Sequence, residues 1–196
     1  MNELKETKEL RKVKEDLLNC KECPLYEERV KGGFFPVIGE GNHQADIMLV
    51  GEAPGLNEAK SGRPFCGAAG RILDKLLESA GMKREEIYIT NVVKDRPPNN
   101  RDPRPEEIEA YGPFLERQIR IIKPKIIGCL GNFSTAFMFN KYGLEKELKG
   151  ISKLHGKVFS VNDLKIAPLY HPAVAVYNNK MTNVLIGDFK KIKGLV

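Results

Sequence analysis

The sequence predicts a three-layer α/β/α domain around a mostly parallel sheet of about four core strands. Short apolar, β-branched runs recur at Asp46–Val50, Glu86–Val93, Lys125–Leu130 and Leu164–Leu169. Between them, apolar residues fall at helical spacing, and strands that alternate with helices form parallel βαβ units with right-handed crossovers. No internal repeat, low-complexity tract or linker divides the 196 residues, 41% of them hydrophobic, so the chain reads as one domain over 1–196. That length buries a sizeable core without help from metals or disulfides.

Each element follows from local chemistry. Leu4, Leu10, Val13 and Leu17 recur at helical spacing among charges, predicting an N-terminal helix over Met1–Leu18 that ends in the Cys20-Lys21-Glu22-Cys23 turn. Residues 1–24 thus form a helix and turn ahead of the sheet. Val30–Gln44 is glycine-rich and reads as a surface connection with a short strand at Phe34–Ile38. After the first core strand, Ile72, Leu73, Leu76 and Leu77 predict a helix over Gly67–Ala80, stopped by Gly81. The second strand runs into Pro97-Pro98-Asn99-Asn100, a loop signal. Pro105 with Glu106 and Glu107 opens a helix that continues to Lys123, proline and acid both suiting a first turn. Beyond the third strand come a helix over Gly131–Asn140, strands at Lys157–Val161 and Leu164–Leu169, and a closing helix over Thr182–Ile192.

Lys and Arg outnumber Asp and Glu by 32 to 26, a net charge of +6, which favours approach to a polyanion. The N-terminus lacks an apolar signal core and a cleavage site. No run nears the roughly 18 apolar residues of a membrane span. A cytoplasmic protein without a membrane partner is therefore expected, and in a reducing cell interior Cys20 and Cys23 point to metal or redox chemistry ahead of a structural disulfide. Richness in Lys, Glu and Ile suits a thermophile.

The ends of parallel strands share one edge, so the segments starting at Gly51, Asn91, Gly131 and Tyr170-His171-Pro172 should converge. Three of them bring polar groups: Glu52, Asn91 and His171. Gly51-Glu52-Ala53-Pro54-Gly55 puts a carboxylate where a phosphate would need donors, which disfavours a flavodoxin-like nucleotide binder. No phosphate-loop lysine motif and no Gly-x-Ser-x-Gly turn occurs.

Gly51-Glu52-Ala53-Pro54-Gly55 with Gly62-Arg63-Pro64-Phe65 and Gly67-Ala68-Ala69-Gly70, then Thr90-Asn91-Val92-Val93-Lys94 with Arg96-Pro97-Pro98-Asn99-Asn100-Arg101, then His171-Pro172, resemble in order and spacing the motifs of the uracil-DNA glycosylase superfamily. The likeness is strongest to its family 4, the thermostable type, and runs from about Cys20 to the C-terminus. It implies hydrolysis of the N-glycosidic bond of uracil in single- or double-stranded DNA by a monomer, near the nucleoid, releasing free uracil and leaving an abasic site. Such chemistry needs the base outside the stack, a sugar that tolerates positive charge and a base that leaves as an anion.

Under that resemblance Phe65 stacks on the extruded base. Asn91 offers one donor and one acceptor to O4 and N3–H of uracil, and a mispaired cytosine loses about 1 to 3 kcal/mol, or about a hundredfold. His171, extended by Pro172, donates to O2 of the departing base. Glu52 aligns water and offsets positive charge on the sugar as an ionised acid. Glu58 matches a second functional acid, and Ala53 and Pro54 contact the base through their backbone. Arg63, Arg96 and Arg101 meet phosphates. The family's bulky wedge after the histidine is replaced by smaller residues, leaving Val176 or Tyr177 to enter the emptied stack.

The chemistry needs no cofactor, yet family 4 members typically carry a four-iron four-sulfur cluster on four cysteines. Cys20 and Cys23 match two of those positions; Asp95 and Tyr111 stand at the others. Oxygen ligands suit such a cluster poorly, and Cys66 and Cys129 lie on other elements, so no intact cluster is expected. The rival readings are a noncatalytic binder of uracil-containing or damaged DNA and a glycosylase of the same superfamily acting on another deaminated base.

Overall fold

A computed structural model describes the backbone of residues 2–196 and the side chains of residues 7–196; Met1 and the side chain of Leu4, both part of the predicted N-terminal helix, lie outside the described residues. In chain order the elements are α1 (Asn2–Leu18), α2 (Tyr26–Gly32), β1 (Glu40–Gly41), β2 (Ile47–Gly51), α3 (Leu56–Ser61), α4 (Ala68–Ser79), β3 (Tyr88–Asn91), α5 (Pro105–Ile122), β4 (Ile126–Leu130), α6 (Asn132–Lys141), α7 (Ile151–Leu154), β5 (Phe159–Val161), β6 (Leu164–Leu169), α8 (Ala173–Tyr177) and α9 (Thr182–Lys193).

The sheet has the order β1-β3-β2-β4-β6-β5. Its four central strands are parallel, with Leu49 opposite both Ile89 and Gly128, and Gly128 opposite Ala167. Those are the four predicted core strands. Two short antiparallel strands, β1 and β5, close the edges.

Strand alternation sorts the apolar side chains onto two faces. Ile47 and Leu49 face Leu73, Leu76 and Leu77 of α4 and Leu185, Phe189 and Ile192 of α9. Met48 and Val50 face Leu115, Ile119 and Ile122 of α5 and Met138 and Phe139 of α6. Both faces are buried, which is why β2 and β4 read as unbroken apolar runs in place of alternating ones.

Two local expectations fail, both between residues 26 and 41. The strand predicted at Phe34–Ile38 does not form, because its backbone bonds outward: Phe35 N–H to Ala59 O and Val37 N–H to Lys94 O, while Pro36 has no N–H. The edge strand comes instead at Glu40–Gly41. Part of the predicted surface connection is the helix α2, started by Glu27 and Glu28 and closed by Gly33 in the left-handed region (φ 60°).

Candidate active site

The predicted convergence is present at the C-terminal edge of the sheet. Pairing between β2 and β3 continues past their ends, with Val92 N–H on Gly51 O at 3.0 Å and Val93 N–H on Glu52 O at 2.9 Å. That extension carries Glu52 one residue past the Gly51–Asn91 pair. A cavity of about 390 Å³ opens there, lined by Glu52, Ala53, Pro54, Glu58, Phe65 and His171, a size usual for small-ligand sites. A roomier groove of about 470 Å³ between α1 and Phe35–Gly39 gathers no strand-end groups.

Phe65 is held in an unusual way. Its backbone is left-handed (φ 49°), sparsely populated for a bulky residue. A Cβ at Gly70 would collide with the Phe65 carbonyl, so the glycine at the start of α4 lets the loop close under the ring. The ring is 3% exposed and lies against the His171 imidazole, centroids 5.6 Å apart and planes at 32°.

Asn91 does not line the open cavity; it is 1% exposed beneath the loop. A Cβ on Gly51 would strike both Asn91 Oδ1 and the Phe65 ring, so the glycine makes the place where amide and aromatic ring meet. Among the described residues, Asn91 Nδ2 is the buried side-chain polar atom without a hydrogen-bond partner. An orphaned buried donor costs about 1 to 3 kcal/mol.

His171 is half-buried, and desolvation pulls its pKa down to about 4, so the ring is neutral at physiological pH. Nδ1 accepts the Ala173 backbone N–H at 3.2 Å. The ring proton therefore sits on Nε2, the free donor. Gly131, left-handed at φ 97° after β4, leaves ordinary contact room beside the His171 Cβ.

The two acids divide differently from the sequence expectation. Glu52 is not a firmly ionised carboxylate: burial, reinforced by Asp102, pushes its pKa up to about 7. Glu58 is raised by burial against the pull of backbone hydrogen bonds from Gly55 and Phe65. Its Oε2 accepts Gly55 N–H at 2.8 Å, so this carboxylate ties the strand-end turn to the Phe65 loop.

The three expected phosphate contacts are engaged within the protein. Arg63 pairs with Glu40 at 2.9 Å, Arg101 pairs with Glu107 at 2.5 Å, and Arg96 donates to Asn100 Oδ1 at 2.7 Å while lying over the Phe34 ring. Pro97, Asn100 and Arg101 also reach the cavity; the sequence expectation gave this segment to DNA phosphates and not to the cavity wall. Asn99 and Asn100 both take left-handed backbone there (φ 55° and 53°), which asparagine tolerates. Past His171, Val176 and Tyr177 end the short α8, and Tyr177 is 89% exposed.

Fold and site together define a doubly wound α/β protein whose strand ends enclose a ring-lined slot with an unpaired amide at its base. A family model described as "Uracil DNA glycosylase superfamily" matches residues 38–191. A Type-4 uracil-DNA glycosylase of Sulfurisphaera tokodaii is 48% identical over 191 residues, 95% of this chain and 84% of that protein. Its namesakes from Archaeoglobus fulgidus and Thermotoga maritima are 45% and 40% identical, covering 90% and 94% of this chain and 88% and 93% of theirs. The chain belongs to the uracil DNA glycosylase superfamily and, within it, to the type-4 group.

The four positions that the family resemblance gives to an iron–sulfur cluster do not fit one. The sulfurs of Cys20 and Cys23 are bonded to each other across a turn that brings their Cα atoms to 5.4 Å, so neither is a free thiol in this structure. Asp95 pairs with Arg29 at 3.0 Å, and Tyr111 Oη donates to the same carboxylate at 2.7 Å. Arg29 also donates to Leu17 O and Leu18 O. Two oxygen groups already bound to each other and to a guanidinium leave nothing to ligate a soft cluster.

Proposed function

We propose that this chain is a monofunctional uracil-DNA glycosylase that releases uracil from DNA. The observation that carries the reading is the unpaired Nδ2 of Asn91 beneath Phe65: a site that leaves a buried amide donor without a protein partner is built for a ligand acceptor, and O4 of uracil is one. Cytosine presents a donor at that place and leaves the same amide mispaired.

The chemistry follows from the side chains. The flipped pyrimidine stacks on Phe65, with Asn91 reading its edge. The C1′–N1 bond breaks with its electron pair passing to the base, and Nε2–H of neutral His171 donates to O2 as that charge develops. Positive charge on the sugar faces Glu52, which holds the water that adds to C1′ and whose carboxylate takes up the proton that the water loses. Glu58 acts by keeping the turn and Phe65 in place, and the Ala53 and Pro54 backbones border the base. Cationic sugar character favours the ionised form of Glu52 in the complex.

On the DNA side, Arg63, Arg96 and Arg101 meet phosphates by exchanging their internal partners, and exposed Tyr177, next to Val176, enters the emptied stack. The enzyme works as a monomer inside the cell, on single or double strands. We further infer that it needs no cofactor and carries no cluster, the Cys20–Cys23 disulfide and the Arg29–Asp95–Tyr111 network occupying those positions.

The test is direct. Oligonucleotides with U opposite G, U opposite A and U in a single strand are incubated with the protein and treated with alkali, and strand scission at the uracil is expected in each. Binding without scission at any temperature would leave the noncatalytic reading. Scission only at another deaminated base would leave the third.

Glu52 sets the pH dependence. The carboxyl has to lose its proton before it can hold water or face a cation, so kcat/KM should climb with pH through about 7, and Glu52→Gln should remove that limb. The fold also binds this proton more tightly than an unfolded chain does, so the group's contribution to stability falls as pH rises from 4.5 to about 7. Initial rates between pH 5 and 9 check the first statement and thermal unfolding the second.

A further inference from the structure

Behind Asn91 lies a polar cluster that the reaction above does not use. Lys94 is wholly buried in the loop after β3, and its Nζ donates to Asn91 O at 2.6 Å, Gln118 Oε1 at 2.6 Å and Thr90 Oγ1 at 2.7 Å. Gln118 of α5, also wholly buried, donates through Nε2 to Ile38 O at 2.8 Å and to Tyr88 Oη at 3.0 Å. Thr90 donates to the same Ile38 carbonyl at 2.7 Å.

We propose that Lys94, with Gln118 and Thr90, is the positioning residue that holds Asn91 in register to read the base. This rests on the glycosylase reading of the site.

Three observations carry it. First, the edge strand β1 pairs only with Tyr88 and Ile89, so the sheet ends two residues short of Asn91 on that side. The Asn91 carbonyl takes the Lys94 ammonium in place of a neighbouring strand. Second, each of Lys94's three contacts is a neutral acceptor, and its pKa is drawn well below the ordinary lysine value by burial. A buried lysine without a carboxylate partner is a costly way to fill space, and methionine would fill it at less cost. Third, the contacts are local to the reader: two go to Thr90 and Asn91, and the third, through Gln118, anchors the strand end to α5 and Ile38. The Asn91 side chain is thereby left without a partner of its own, and the backbone that carries it is pinned.

A core role alone and a positioning role separate cleanly. The triple variant Thr90→Val/Lys94→Met/Gln118→Leu replaces the three side chains with apolar ones of similar size; it removes the buried ammonium but leaves Asn91 O, Ile38 O and Tyr88 Oη without their donors. We expect it to fold with a lower unfolding midpoint than the parent, because those acceptors are left unpaired, and its activity is read well below that midpoint. It should excise uracil about 10- to 100-fold more slowly under saturating single-turnover conditions, since misplacing a reader by an ångström costs on that order, and its preference for uracil over cytosine should shrink. Folded protein with parental rate and parental preference would overturn the proposal.

Should the triple variant fail to fold, Thr90→Val removes one of the three acceptors with almost no change in shape and carries the same test. A reduced uracil-to-cytosine ratio supports positioning; an unchanged ratio, whatever the midpoint does, overturns it. A parent protein that excises no uracil would instead sink the glycosylase reading, so the two failures are told apart.

Discussion

Replacing His171 by alanine is expected to slow single-turnover release of uracil by about 10²- to 10³-fold, the effect of removing one donor from a preorganised anion site. The imidazole is neutral, its Nδ1 occupied by the Ala173 N–H, and Nε2–H meets charge that exists only as the bond breaks. Affinity for uracil-containing duplex should therefore change little, because the ground-state oxygen asks less of the donor. The shape of the pH profile between 5 and 9 should also stay as it is, since a group with a pKa of about 4 does not titrate there. Rates from rapid quench and affinities from fluorescence anisotropy check this. An equal loss in both would mean that His171 serves binding instead.

Replacing Arg29 by methionine is expected to cost about 3 to 5 kcal/mol of stability, the usual effect of breaking a buried ion pair by removing one partner. Arg29 and Asp95 are 5% and 1% exposed. Without the guanidinium, the carboxylate keeps only the Tyr111 hydroxyl, while burial already pushes its pKa up. For a chain of this length the midpoint should fall by roughly 10 °C. Arg29→Met/Asp95→Leu should recover most of the loss, because it removes the stranded charge as well. Both variants, like the parent, should carry no iron when purified anaerobically. About four iron per chain in the parent would show that the network yields to a cluster and would remove the basis of this prediction.

The two expectations differ in how far the sequence foresees them. The four core strands were legible because burial on both faces of a parallel sheet writes itself as short continuous apolar runs, and Leu164–Leu169 was placed to the residue. The place of the candidate site was legible for a related reason: Glu52 follows β2 directly, Asn91 is the last residue of β3 and His171 comes two residues after β6, and parallel strands end on one edge. The strand at Phe34–Ile38 was misread because its residues favour extended backbone, but its partners are the Ala59 and Lys94 carbonyls, not a neighbouring strand. Arg63, Arg96 and Arg101 were readable as cations near the site, while their partners Glu40, Asn100 and Glu107 were not. Charge is a property of one residue; pairing belongs to two.

By itself, the sequence determined the order of strands and helices, the edge where they deliver polar groups and the residue types found there. Set against the family resemblance, it also places Asp95 and Tyr111 at two positions where the family's cluster would need thiolates. Only the tertiary structure decided what replaces them, because Arg29 meets Asp95 across 66 residues. It likewise decided that Phe65 adopts left-handed backbone, that the Asn91 amide is left unpaired, and that Lys94 turns back to hold the Asn91 carbonyl. The physical reason is one of range: periodicity records which face of its own element a residue buries, and hydrogen bonds between elements depend on where the whole chain brings them.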